Sequence, residues 1–450
     1  MRINNKISST LLLSIFTIVI SYSQNIENKI NDILNKEYSK DGTGAVALVS
    51  KDGRIIYHNA FGLANLELNT PMANDIVFEI GSITKQFTAI AILMLKEQGK
   101  LDVSDDIKKH LPNYPTQGKT ITIHNLLNHT SGIKNYVTLK EWFPQIRKDF
   151  TPGDFIDFFK NEPLNFNPGD KWEYSNSGYY ILGLIIEKIS GQSYGEFIES
   201  KIFKPLTMEN SLYANHSKLI DKRALGYSKQ DNSIINANYV SYSHLYSAGA
   251  LMSTTEDLFK WNQALLENTL ITEASKTMIF TNTTLNDGSK TNYSYGWAIN
   301  TIDESNTIEH SGGTLGYATY ATYLPKEDIF VTVFSNCDCK EPRVVTTKIA
   351  ALVLDKPFPS EDLSITLENS ELIQFVGTYT FEDGSTRIVT LNDKQLYVNF
   401  PNMDKLKIFT HNSKTFWIEG TTETLSFKTT NQGTSCVFKN RIYTSIGYID

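Results

Sequence analysis

The sequence predicts an α/β (α+β) chain: an antiparallel sheet flanked by helices, a helical lobe beside it, and a small all-β domain at the C-terminal end. Three observations carry this. Strand-like runs stand at both ends of residues 24–356 and enclose a helical middle. The later runs, "YSYGWAIN", "TIEHSGG", "YATYATYL" and "IFVTVFSN", are joined by short turns, which favours antiparallel pairing. From residue 371 the pattern changes to strand runs at hairpin spacing.

Taken in order, "MRINNKISSTLLLSIFTIVISYSQ" has a basic start at Arg2 and Lys6, an apolar stretch from Leu11 to Ile20, and small residues at Ser21 and Ser23. This is the pattern of an export signal, with cleavage expected after Ser23 and a periplasmic or extracellular product. The apolar run is too short for a membrane span, and no later segment is long and apolar enough for one. "NIENKINDILNKEY" then sets Ile26, Ile30, Ile33 and Leu34 on one helical face. Two strand-like runs follow around Asp52-Gly53, a hairpin signal. The next helix opens near Ser82 and stops near Gly99. Its residues Ile83, Phe87, Ile90, Ala91, Met94 and Leu95 recur at helical spacing, while Ile92 and Leu93 fill much of the rest, so it is expected to be buried nearly all round. Helix and loop run from Leu101 to about Ser217, the returning strands from about Tyr293 to Asn336, and "VVTTKIAALVLD" closes the domain as a helix. Residues 357–370 read as a linker. Residues 371–450 read as a separate antiparallel β-domain, either barrel or sandwich.

Composition is that of an ordinary globular chain: 450 residues, 40% hydrophobic and 20% charged. Loss of residues 1–23 removes Arg2 and Lys6 and no acidic residue, so the formal charge of −7 becomes −9. That balance argues against nucleic acid as a partner. Cys337 and Cys339 nearly adjoin and Cys436 is distant, so free thiols are expected; a bridge between such near neighbours would close a tight loop.

The chemistry starts at "FEIGSITKQFTA", where Ser82 and Lys85 share one helical face. A serine at a helix start lies near unpaired N–H groups. A lysine one turn on, in a dry site, has its pKa pulled down and can take the serine's proton. Alone, the pair also fits an N-cap serine with an exposed lysine. Two further stretches bear on the choice: Tyr174-Ser175-Asn176 just before a helix, and His310-Ser311-Gly312 on a strand followed by Gly313.

In that order, Ser-x-x-Lys, Tyr-x-Asn and His-x-Gly resemble the serine β-lactamase and penicillin-binding protein superfamily, in the branch with class C β-lactamases, D-alanyl-D-alanine carboxypeptidases, D-aminopeptidases and related esterases. The resemblance spans about Ile26 to Asp355 and includes "LLNHTSGI", "FKPLTM" and "SAGALMSTTEDLFKW". It implies a β-lactamase/transpeptidase-like fold and a hydrolase that needs no cofactor or metal and acts through an acyl-enzyme. Ser82 would be the nucleophile, Lys85 and Tyr174 the proton-transfer pair, and Asn176, His310 and Ser311 the substrate-binding set. The backbone N–H groups of Ser82 and Gly313 would form the oxyanion hole, where two donors must meet the developing charge. The implied partner is a small ester, peptide or peptidoglycan-derived substrate. A different class of reading is an idle member that binds peptidoglycan fragments or penicillin without turnover.

One departure stands out. β-Lactamases and most penicillin-binding proteins have lysine where this chain has His310. A histidine is only partly charged near neutrality and clamps a carboxylate more weakly. Esters and peptide-like amides are therefore expected to be better substrates than β-lactams. Two rival motifs lead elsewhere. "GQSYG" matches Gly-x-Ser-x-Gly, but a helix precedes it, and Ser193 with Glu196 reads as a capping box. His124 and His129 lack the carboxylate pattern of a zinc site and read as loop and helix-end histidines.

Overall fold

A computed structural model describes residues 24–359, 364–382, 384–401, 404–430, 433–441 and 444–449. The export signal expected at 1–23 lies outside the described residues. Two compact units emerge: the described residues up to 299 together with 306–346, and residues 300–305 together with 347 onward.

The first unit is organised by near-continuous apolar runs. "AVALVSK" (Ala45–Lys51) and "IFVTVFS" (Ile329–Ser335) are buried on both faces and pair antiparallel, with Ala45 opposite Ser335. Around them the strand order within this unit is 306–314, Tyr317–Leu324, Ile329–Ser335, Ala45–Lys51, Arg54–Phe61. Strands from both ends of the unit thus meet at the centre of one antiparallel sheet. The hairpin at Asp52-Gly53 forms as expected, with positive φ at both residues (50° and 69°), the geometry that a tight twisted hairpin demands.

The helix Thr84–Glu97 is buried from Thr84 through Leu95 except at Met94. It packs on the helices Asn176–Ser190 and Tyr242–Gly249. Phe87 stacks on Trp261 at 4.1 Å between ring centres and meets Phe203 edge-on. Ser193 and Glu196 form the expected capping box. In the second unit the tail closes into an eight-stranded antiparallel barrel, settling the choice between barrel and sandwich. Its interior holds Tyr379, Val389, Leu396, Val398, Ile408 and Leu425.

The expectation of free thiols at Cys337 and Cys339 is corrected: the two are disulfide-bonded. The chain bends directly after the strand that ends at Ser335, bringing their Cα atoms to 5.1 Å, within the reach of a bridge. Cys436 is free and buried.

Candidate active site

Ser82 sits on a single 3-10 turn, Gly81–Ile83, that leads into the helix Thr84–Glu97. Gly81 has φ +49°, and a Cβ there would lie 2.6 Å from the Gly313 nitrogen. At Gly312 a Cβ would meet the Ile80 carbonyl at 2.0 Å. Only glycine lets these two backbones touch. Thr319 Oγ1 donates to the Ile80 carbonyl (3.1 Å) and pins the contact. Buried Glu79 accepts from Tyr242 (2.7 Å) and from Thr314 (3.0 Å) and ties down the strand end beyond Gly313. Burial raises its pKa. The Ser82 turn and the Gly313 strand are therefore held side by side.

Lys85 is fully buried. Its Nζ lies 3.0 Å from Ser82 Oγ, 2.8 Å from Asn176 Oδ1 and 2.8 Å from the Ala248 carbonyl. Desolvation alone drives its pKa well below the usual lysine range. The Ala248 carbonyl comes from the Tyr242–Gly249 segment, where Tyr246 adopts φ 39°, ψ −129° and breaks the helical path.

Tyr174 and Asn176 arrive on the turn before the helix Asn176–Ser190, whose N-cap is Ser175. Asn135 orients this turn: its Oδ1 accepts from the Asn176 backbone N–H (3.2 Å) and from Asn176 Nδ2 (3.3 Å), which leaves Asn176 Oδ1 facing Lys85. The Tyr174 ring centre lies 4.8 Å from Lys85 Nζ. Its hydroxyl is buried without a well-formed hydrogen bond. Burial raises the phenol pKa, and the nearby Ser82 hydroxyl partly offsets this.

His310 departs from expectation. It is 5% exposed, and both ring nitrogens are engaged internally: Nε2 with the Tyr293 hydroxyl (2.9 Å) and Nδ1 with the Ser311 carbonyl (2.6 Å). Burial, reinforced by Lys85, pushes its pKa to about 4. It is therefore neutral at working pH, not partly charged, and has no ring nitrogen free for a substrate. The Ser311 side chain is exposed. His129, read from sequence as a loop residue without a task, proves to be buried against Tyr174 with ring centres 4.3 Å apart. Tyr293, Asn135 and the Ala248 carbonyl also escaped the sequence reading. His129 and Ala248 carried a signal, through their places in "LLNHTSGI" and "SAGALMSTTEDLFKW".

Ser82, Asn176 and Gly313 open on a cleft of about 240 Å³. Tyr136, Val137, Trp142, Val240, Leu245 and Leu315 form its apolar wall, and none of its lining residues is charged. A larger depression of about 550 Å³, near Val77 and Phe203, contains none of Ser82, Lys85 and Tyr174.

Residues 29–355 match the family model "Beta-lactamase". The chain belongs to that family. It is 31% identical over 421 residues to "Penicillin-binding protein 4*" of Bacillus subtilis, covering 88% of this chain and 92% of that one. An octameric penicillin-binding protein homologue from Pyrococcus abyssi superposes with a TM-score of 0.68 at 24% identity, over 93% of this chain and 99% of that one. A D-amino acid amidase from Ochrobactrum anthropi, complexed with L-phenylalanine amide, superposes with a TM-score of 0.63 at 23% identity, over 74% of this chain and 97% of that one. The last two show that the β-lactamase/penicillin-binding protein fold is shared. Membership in a family of serine hydrolases follows from the first two.

Proposed function

We propose that the protein hydrolyses uncharged esters or amides through an acyl-enzyme on Ser82, with neutral Lys85 as the base. The single observation that carries this is the geometry at Lys85 Nζ. A neutral amine has two hydrogens and one lone pair. Asn176 Oδ1 and the Ala248 carbonyl can only accept, so they take both hydrogens. The lone pair is left for Ser82 Oγ, whose proton it can receive.

Attack of Ser82 Oγ on the substrate carbonyl then forms the new C–O bond while the serine proton passes to Lys85. The oxyanion is met by the N–H groups of Ser82 and Gly313. The oxyanion then collapses and the bond from the carbonyl carbon to the leaving group breaks as Tyr174, whose buried phenol holds its proton, donates it to that group and regains one from Lys85. Water repeats the sequence on the acyl-enzyme and frees Ser82. The Tyr174 ring stabilises the transient Lys85 ammonium.

The cleft supports a restricted substrate class. No lining residue offers a positive charge for a carboxylate or a negative one for an ammonium. Its apolar wall suits an uncharged acyl group of modest size. Export, with removal of residues 1–23, remains part of the proposal on the basic-then-apolar pattern of that segment. Parallel assays of short esters, neutral peptide amides, D-Ala-D-Ala peptides and a cephalosporin test the reading. The neutral compounds are expected to show at least about tenfold higher kcat/KM, since a charge-assisted contact the cleft lacks contributes about 1.5–3 kcal/mol. Faster turnover of the anionic compounds contradicts it.

A further inference from the structure

A line of hydrogen bonds crosses the site behind Tyr174. The Ser175 N–H reaches His129 Nδ1 at 3.2 Å. His129 Nε2 and the Tyr293 hydroxyl are 3.3 Å apart. That hydroxyl is 2.9 Å from His310 Nε2, and His310 Nδ1 is 2.6 Å from the Ser311 carbonyl. The two ends fix the protons. A backbone N–H only donates, so His129 Nδ1 carries the lone pair and Nε2 the hydrogen. A carbonyl only accepts, so His310 Nδ1 carries the hydrogen and Nε2 the lone pair. Tyr293 must then accept from His129 and donate to His310. Every donor points the same way, from the turn that bears Tyr174 and Asn176 to the strand that bears Gly313.

We propose that His129 and Tyr293 are positioning residues for the Ser82 reaction: with His310 they form a strut that sets the Tyr174 turn against the oxyanion strand. The inference rests on the function proposed above. The three side chains are at most 5% exposed, so the strut is dry and its hydrogen bonds do not compete with water. His129 also presses its ring on Tyr174, and Tyr293 faces both Tyr174 and His310. A shift of this turn moves the proton donor and the amide that orients Lys85 together, and a displacement of about 1 Å in such groups costs on the order of a hundredfold in rate.

The strut requires both histidines to be neutral. His129 is faced by Lys85, His310, Tyr174, Tyr179 and Tyr293, and burial, Lys85 and His310 hold it well below the usual histidine range. His310 is faced by Lys85, His129, Glu309, Tyr174 and Tyr293; the hydrogen bond to the Ser311 carbonyl and Glu309 favour its charged form, and burial and Lys85 outweigh them. The hydrogen bond from Tyr293 to His310 Nε2 stabilises the neutral ring. Its removal raises the pKa of His310.

The test is Tyr293→Phe in the full chain, with two independent readouts. Long-range ¹⁵N–¹H spectra of the wild type should show His129 as the Nε2–H tautomer and His310 as the Nδ1–H tautomer at neutral pH. In Tyr293→Phe, kcat should fall about ten- to a hundredfold with KM within about threefold. His129→Asn, which keeps an acceptor for the Ser175 N–H, should retain more activity than His129→Leu at equal folded fraction. A Tyr293→Phe enzyme with wild-type kcat overturns the strut, as do spectra with the opposite tautomers. Turnover that survives Ser82→Ala instead overturns the functional reading, while the spectra still decide the hydrogen-bond order.

Discussion

In the proposed mechanism Lys85 and Tyr174 divide one proton transfer between them. In the proposed reaction Lys85 is the acceptor, because burial drives its pKa down and because two acceptors already face its nitrogen. In the same reading Tyr174 is the donor, its phenol kept protonated by burial. Lys85→Ala and Tyr174→Phe should each slow acylation by roughly two to four powers of ten. The double variant should be little slower than the worse single one, since both residues serve the same event. Pre-steady-state rates on one ester measure this, and losses that multiply would mean that the two act separately.

Local pattern and distant contact differ in how far the sequence reveals them. The Asp52-Gly53 hairpin, the Ser193–Glu196 box and the buried helix after Ser82 were legible because each follows from a few neighbouring residues. Ser82, Lys85, Tyr174 and Asn176 were found through their motifs, and the fold brings Lys85 to both Ser82 and Asn176. What the sequence hid depends on long-range packing. His129 and Tyr293 are 164 residues apart and meet only because a loop and the approach to a strand converge behind Tyr174. The charge of His310 was misread for the same reason, since its neutrality comes from burial and from Lys85, not from its own stretch of chain. The Cys337–Cys339 bridge depends on a bend after Ser335 that spacing alone does not disclose.

Over the whole molecule, the buried neutral bases have a common consequence for acid stability. His310 has a folded pKa of about 4, below its unfolded value near ~6.5. The unfolded chain therefore binds the proton first as pH falls. The stability this group contributes is complete above about pH 6.5 and is lost progressively down to about 4, at about 1.4 kcal/mol per pH unit. That is about 3 kcal/mol across the window. His129 acts in the same direction. Glu79 opposes them, because its raised pKa makes the folded state bind its proton more readily above the unfolded carboxylate range. Urea midpoints of the full chain should fall from pH 6.5 to 4.5, and His310→Asn should make the fall shallower. A midpoint that is flat or rises on acidification contradicts this account.

The central claim is that Ser82 becomes acylated because neutral Lys85 takes its proton. Mass spectrometry of peptides after exposure to a fluorophosphonate or a penicillin, followed against time and pH, tests it directly. The account predicts a single adduct on the peptide containing Ser82 and none in Ser82→Ala. Its rate should rise with pH through the depressed Lys85 pKa and level off well below the ordinary lysine range. Labelling at another residue, or a rate that keeps climbing to the pH at which an exposed lysine deprotonates, would contradict it.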